Sequence, residues 1–143
     1  MKKYSFEIIV FSLLSIYFIC CIIINGVSNI TLYNITLFLF ASPLIEEYIF
    51  RGLVQNKINK FVNKTYFFHI SMGNLISSIL FTAAHCIINP FFIQNLFVII
   101  PSLYLGYLYD KYNTLKLPVL FHSFFNINIF IIYPYSNILI FYR

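Results

Sequence analysis

Charge is what this sequence has least of. Four acidic and nine basic residues occur among 143, so 9% of the chain is charged, against roughly 25% in an ordinary soluble domain. So few charges cannot cover a water-facing surface. With 61% hydrophobic residues and a mean hydropathy of +0.87, most of the surface is expected to face lipid, and the chain reads as a multi-pass protein of the cell membrane. Cysteine is also sparse. Cys20 and Cys21 are adjacent in one apolar run, Cys86 lies in another, and there is no CxxC pair. That pattern excludes a cysteine zinc site and a disulfide framework, and leaves small side chains buried in helices. No basic run is interleaved with stacking aromatics, so the net charge of +5 is no nucleic-acid footprint; scattered Lys and Arg sort loops to the cytoplasmic side instead. No small-residue cleavage site follows the first apolar stretch, which is longer than a signal-peptide core, so it reads as a retained span. Internal repeats and low-complexity linkers are absent.

What is present is a series of apolar segments. About 20 mostly apolar residues cross a bilayer, and five segments approach that length: Ile8 to Ile24, Leu32 toward Lys57, Phe67 to Ile88, Phe91 to Tyr109, and Leu117 to Tyr133. The expectation is an all-α, polytopic transmembrane bundle. Residues 1–31 form a first span and its loop, residues 32–133 the functional core, and residues 134–143 a short tail. Five antiparallel spans put Lys2, Lys3, Lys57, Lys60, Lys64, Lys111 and Lys116 on one side and leave "NGVSN" and "NP" uncharged on the other. The N-terminus is therefore expected in the cytoplasm. "NKINKFVNKTYF" spaces its lysines among apolar residues as an interfacial helix or helix end does, and His69 reads as interfacial beside it.

The few polar residues inside the spans then carry the information, because an ionisable group at the centre of a membrane helix costs about 2.5–3.5 kcal/mol on insertion scales. Half of the acids are adjacent, in "SPLIEEYIFRGLVQNK". Glu47 and Arg51 are four apart, acid first, and share a helical face, which is the geometry of a self-neutralising structural pair. Glu46 is rotated by about 100° from Glu47. It is a spare carboxylate that either faces a polar cavity or acts as a general base on water. His85 ends "FTAAH", with Phe81 one turn earlier; alone, it reads as a structural histidine. His122 and Asn126 share a face in "HSFFN" and offer either an interhelical polar contact or an acceptor and a donor at one height. Together, Glu46, His85, His122 and Asn126 come from three spans and supply what hydrolysis of an amide by activated water needs. No Ser-His-Asp set is recognisable, and Cys86 has no support as a nucleophile.

These stretches resemble the CAAX-protease and bacteriocin-processing family of intramembrane proteases, also called the Abi family. "EEYIFRG" is similar to its EExxxR motif, "FTAAH" to FxxxH and "HSFFN" to HxxxN, in the same order, and the likeness extends over about Leu37 to Ile129. The resemblance implies a peptidase acting on peptides or lipidated peptides at the bilayer. In it, Glu46 activates water with His85, His122 and Asn126 stabilise the oxyanion, and Glu47, Arg51 and Phe81 support the site. It also leaves a cofactor open. Glu46, His85 and His122 are the residues that would hold a divalent metal such as zinc, although their spacing differs from HExxH, and a metal-free site, or one where the metal is not firmly bound, is favoured. Two other classes use the same polar residues: a non-catalytic scaffold or peptide-toxin immunity protein of this fold, and a small transporter or channel.

Overall fold

The computed structural model describes residues 4–27, 31–62, 66–67, 70–88 and 95–131. His69 and the tail after residue 131 lie outside the described residues. The chain is all-α, as the apolar segments require. Helix α1 (Ser5–Asn25) ends at Gly26, whose φ of 73° lies in the region glycine adopts without strain. Helix α2 covers residues 32–61 and opens on a Thr31 cap, whose hydroxyl accepts from the Asn34 N–H at 3.1 Å. A two-residue antiparallel ladder pairs β1 (Tyr66–Phe67) with β2 (Ile70–Ser71). Then come α3 (Met72–Ile88), α4 (Ile99–Tyr112), α5 (Lys116–Asn126) and the short α6 (Asn128–Ile131).

The boundaries differ from the apolar runs where polar groups decide them. The third segment begins at Met72 rather than Phe67, because the Ser71 hydroxyl accepts from Asn74 N–H at 3.0 Å and caps α3. The fourth continues past Tyr109 to Tyr112, where Asn113 adopts a left-handed conformation and closes the helix. The fifth breaks at Ile127, between α5 and α6. Among the described residues, α1 is the one helix both long and apolar enough to cross a membrane; α3 and the stretch Lys116–Ile131 are apolar but shorter. Helix α2 is long, about 45 Å at the α-helical rise, but Glu46, Glu47 and Arg51 interrupt its apolar run. It also contains two segments of wider π-helical turns, Thr36–Ala41 and Tyr48–Gln55, on either side of Ser42–Glu47. Wider turns of this kind cluster at functional sites.

Packing runs opposite to that of a soluble domain. Arg51, Gln55, Asn74, Ser77, Ser78 and Ser102 are fully buried, while Ile8, Ile9, Leu13, Ile16, Ile23, Leu44, Ile45, Ile79 and Leu80 are exposed. A smaller apolar core forms where Leu105, Leu108 and Phe121 meet Val10, Leu14 and Phe125. Helix α1 docks there through Phe11 and Phe18, which pack on Phe121 and Phe124. An ion pair between Glu7 and Lys111 (2.8 Å) fixes its N-terminal end.

A ladder of polar rungs joins α2 to α4. Arg51 Nη2 donates to Ser102 O and Oγ at 3.0 and 2.8 Å, Gln55 Nε2 to Gly106 O at 2.9 Å, and Asn59 Nδ2 to Asp110 Oδ1 at 2.9 Å. Each rung lies four residues beyond the last on both helices, so α2 and α4 run parallel, one turn per rung. Helix α3 fits between them in the opposite direction. Asn59 Oδ1 accepts from Gly73 N–H at 3.0 Å, and Asn74 Nδ2 donates to Leu103 O at 3.0 Å. Close approach requires glycine here: a Cβ on Gly106 would collide with the Asn74 amide, and one on Gly73 with the Asn59 side chain and the Gln55 carbonyl. Small residues and side-chain amides at helix crossings are how helices associate when apolar surface alone does not drive them together.

Gly106→Ala is expected to destabilise the protein by about 1–3 kcal/mol through overpacking. Adding Asn74→Ala should recover part of that loss. Thermal unfolding of the detergent-solubilised single and double variants measures both effects; additive losses would contradict the crowding.

Candidate active site

Helix α2 presents Glu46 and Glu47 to different neighbours, as their 100° offset requires. Glu47 is fully buried. Its Oε2 lies 3.1 Å from Arg51 Nε and its Oε1 lies 2.8 Å from His122 Nδ1. The expected salt bridge is therefore present, and it has a second function that spacing along one helix could not reveal: it reaches α5 and holds His122. Arg51 is equally buried. Its Nε bonds Glu47, Nη1 faces Ser77 and Ser78 Oγ at 3.2 and 3.5 Å, and Nη2 takes both oxygens of Ser102. These five contacts match the five N–H donors of a guanidinium. The serines are connected onward: Ser77 Oγ donates to Phe50 O at 2.7 Å, and Ser78 Oγ to Asn74 Oδ1 at 3.1 Å. One arginine thus links α2, α3 and α4.

Glu46 points the other way. Its Oε1 accepts a hydrogen bond from Ser42 Oγ, one turn earlier. Its Oε2 is buried with no hydrogen-bond partner among the described residues. Two imidazole nitrogens face that oxygen: His122 Nε2 at 3.8 Å and His85 Nε2 at 3.9 Å. The tautomers follow from the opposite ring edges. Each Nδ1 faces an oxygen that can only accept, Phe81 O for His85 at 3.0 Å and Glu47 Oε1 for His122 at 2.8 Å. Both Nδ1 atoms therefore carry the proton, and in the neutral rings both Nε2 atoms present lone pairs. Three acceptors converge without a donor between them. A water molecule, with two protons to donate, fits the chemistry of that gap.

Phe81 packs these groups together. Its ring centroid is 4.3 Å from that of His85 and 5.7 Å from that of His122, and the Arg51 guanidinium lies over it at 5.6 Å. Asn126 lies one turn beyond His122 on α5, but it does not reach the carboxylate. Its Nδ2 donates to Phe38 O in the first wide turn of α2 at 2.8 Å. The amide has a second N–H that this bond leaves over. Of the four residues that the sequence groups together, the geometry thus brings Glu46, His85 and His122 to one point and sets Asn126 at its edge.

The donors Glu46, His85 and His122 are of the type that zinc takes, but their spacing is wider than a tetrahedral site. Bonds of about 2.0–2.1 Å put ligand atoms roughly 3.4 Å apart, against 3.8 and 3.9 Å here. Among the described residues no group of three His, Cys, Asp or Glu side chains is arranged to hold a metal ion.

Sequence reasoning missed Ser42, Ser77, Ser78 and Ser102. The available signal was the matched spacing of Arg51, Gln55 and Asn59 with Ser102, Gly106 and Asp110. Removing Arg51 leaves the Glu47 carboxylate buried and uncompensated, so Arg51→Leu is expected to cost about 3–5 kcal/mol. Combined with Glu47→Leu, the loss should fall short of the sum of the singles by about 0.5–3 kcal/mol. Denaturant unfolding in mild detergent checks this; strict additivity would mean that the two side chains do not act as a pair.

With this geometry in view, comparison with known proteins bears on what the site is. No curated protein and no solved structure matches the chain. The family model for type II CAAX prenyl endopeptidase Rce1-like proteins matches residues 27–128, a span that contains Ser42, all of the converging side chains, and Arg51 with its three serines. The chain is thus a member of the Rce1-like CAAX prenyl endopeptidase family, a family of membrane-embedded proteases.

Proposed function

We propose that the chain is an intramembrane endopeptidase that hydrolyses peptide bonds with a water activated by Glu46 and His85. The observation that carries the reading is the convergence of Glu46 Oε2 with His85 Nε2 and His122 Nε2 at 3.9 and 3.8 Å. Water held there hydrogen-bonds to Glu46 through one proton and to a ring nitrogen through the other. As its oxygen attacks the scissile carbonyl carbon, Glu46 accepts the proton that leaves the water. When the tetrahedral intermediate collapses, the C–N bond breaks and Glu46 returns that proton to the leaving amine. Asn126 supplies its remaining N–H to the oxyanion, with the His122 ring beside it. Glu47 holds the His122 ring in orientation, the role a buried carboxylate has behind a catalytic histidine.

The substrates that fit are peptides and lipidated peptides, prenylated C-terminal peptides among them, as the family description suggests. The apolar exposed side chains around α2, α3 and α1, set against a buried polar seam, support a multi-pass arrangement of about five spans. In that arrangement the lysine-bearing ends, with Lys57, Lys60, Lys111 and Lys116, lie on the cytoplasmic side together with the N-terminus.

Purified protein in lipid, assayed on a library of plain and prenylated peptides, tests the reading. Glu46→Gln is expected to lower kcat/KM by about 100- to 10,000-fold, and Asn126→Ala by about 100- to 1,000-fold. Wild-type cleavage by Glu46→Gln would reject the assignment. A separate outcome concerns the metal: activity is expected to survive prolonged chelation, and a loss restored by added zinc would overturn the metal-free mechanism.

A further inference from the structure

The Glu46 carboxylate is set by something other than the histidines, because neither imidazole is within hydrogen-bond distance of it. Its one hydrogen bond among the described residues comes from Ser42. That bond runs forward along α2. A helical serine or threonine ordinarily donates back to the carbonyl four residues earlier. Ser15 does so to Phe11 O at 2.8 Å, Thr36 to Leu32 O at 2.8 Å, and Ser123 to Val119 O at 2.9 Å. For Ser42 the equivalent carbonyl is that of Phe38, and Asn126 Nδ2 already donates to it at 2.8 Å.

The backbone explains why an amide from another helix is there. In the wide turn, Ser42 N–H reaches back five residues to Leu37 O. The next donor in that register would be residue 43, which is proline and has no N–H. Phe38 O is left for a side chain, and Asn126 takes it. The Ser42 hydroxyl turns forward to the carboxylate one turn ahead.

We infer that Ser42 is a positioning residue: its hydroxyl holds Glu46 Oε1 so that Oε2 stands before His85 and His122, and the Asn126 bond to Phe38 O keeps that hydroxyl directed forward. This rests on Glu46 being the base, as proposed above. It assigns Ser42 a task and gives Asn126 a second one, separate from any contact with substrate. The wide turn, Pro43, Ser42 and Asn126 then act as one device for orienting a carboxylate inside a helix bundle.

The full-length protein tests it with two readouts. In peptide cleavage, Ser42→Ala is expected to lower kcat by about 5- to 10-fold, the worth of one hydrogen bond, with KM unchanged. Ser42→Thr, which keeps the hydroxyl, should remain close to wild type. The second readout needs no activity: the rate at which a hydrophobic carbodiimide labels Glu46, followed by mass spectrometry. Loss of the hydroxyl should raise that rate by about five-fold, the worth of one hydrogen bond, in Ser42→Ala but not in Ser42→Thr. Asn126→Ala reopens Phe38 O to the Ser42 hydroxyl and should raise the labelling rate without a change at residue 42. Equal labelling in wild type, Ser42→Ala and Asn126→Ala overturns the inference. If Glu46→Gln cleaves like wild type, the protease reading falls, and the labelling comparison still decides what Ser42 does.

Discussion

Everything in the site depends on one buried charge being fully answered. Arg51 has no access to solvent, and an unmatched guanidinium in that position would be untenable. Its five donors are met by a carboxylate, three serines and a carbonyl from three helices. The same carboxylate passes the constraint to a fourth helix by accepting from His122. Neutralising a charge therefore also fixes how α2, α3, α4 and α5 are placed. The catalytic candidates border that arrangement: Glu46 next to Glu47, His122 bonded to Glu47, and His85 about two turns along α3 from Ser77 and Ser78.

The division between the two glutamates is chemical as much as geometric. Glu47 has both oxygens committed, one to a cation and one to an imidazole N–H. Glu46 has one oxygen committed to a hydroxyl and the other facing two nitrogen lone pairs. A base must have an oxygen available to accept a proton, and Glu46 is the residue that does. The wide turns of α2 contribute to this, since they leave a backbone carbonyl for Asn126 to occupy and a hydroxyl for Glu46 to use.

Much of this was legible in the sequence, for physical reasons. Charges in an apolar chain are costly, so Glu46, Glu47, Arg51, His85 and His122 stood out once the composition was read as lipid-facing, and the i,i+4 spacing of Glu47 and Arg51 identified the pair directly. The helical class followed from the apolar runs. The Glu47–His122 contact was not legible, because spacing along one helix says nothing about which side chain of another helix stands opposite. Nor were the serines: Ser77, Ser78 and Ser102 look like ordinary small residues until an arginine is placed among them. Asn126 was legible as either an interhelical polar contact or a donor at the site, and its bond to Phe38 O is such a contact, though its partner was not legible. Its bond to Phe38 O depends on a carbonyl orphaned by Pro43 in a π-helical register, which no periodicity announces. The helix starts shifted wherever a hydroxyl cap, such as Ser71, outweighed continuing hydrophobicity.

The ladder between α2 and α4 has a mechanical meaning. Its three rungs repeat every four residues on both helices, so a small axial slide misaligns all of them at once, and a new match arises only after a full turn of about 5.4 Å. The pair therefore behaves like meshed gear teeth rather than like two greased rods. The contact of α1 with α5 is of the other kind: packed aromatic rings hold it, with one ion pair to α4 at the N-terminal end of α1.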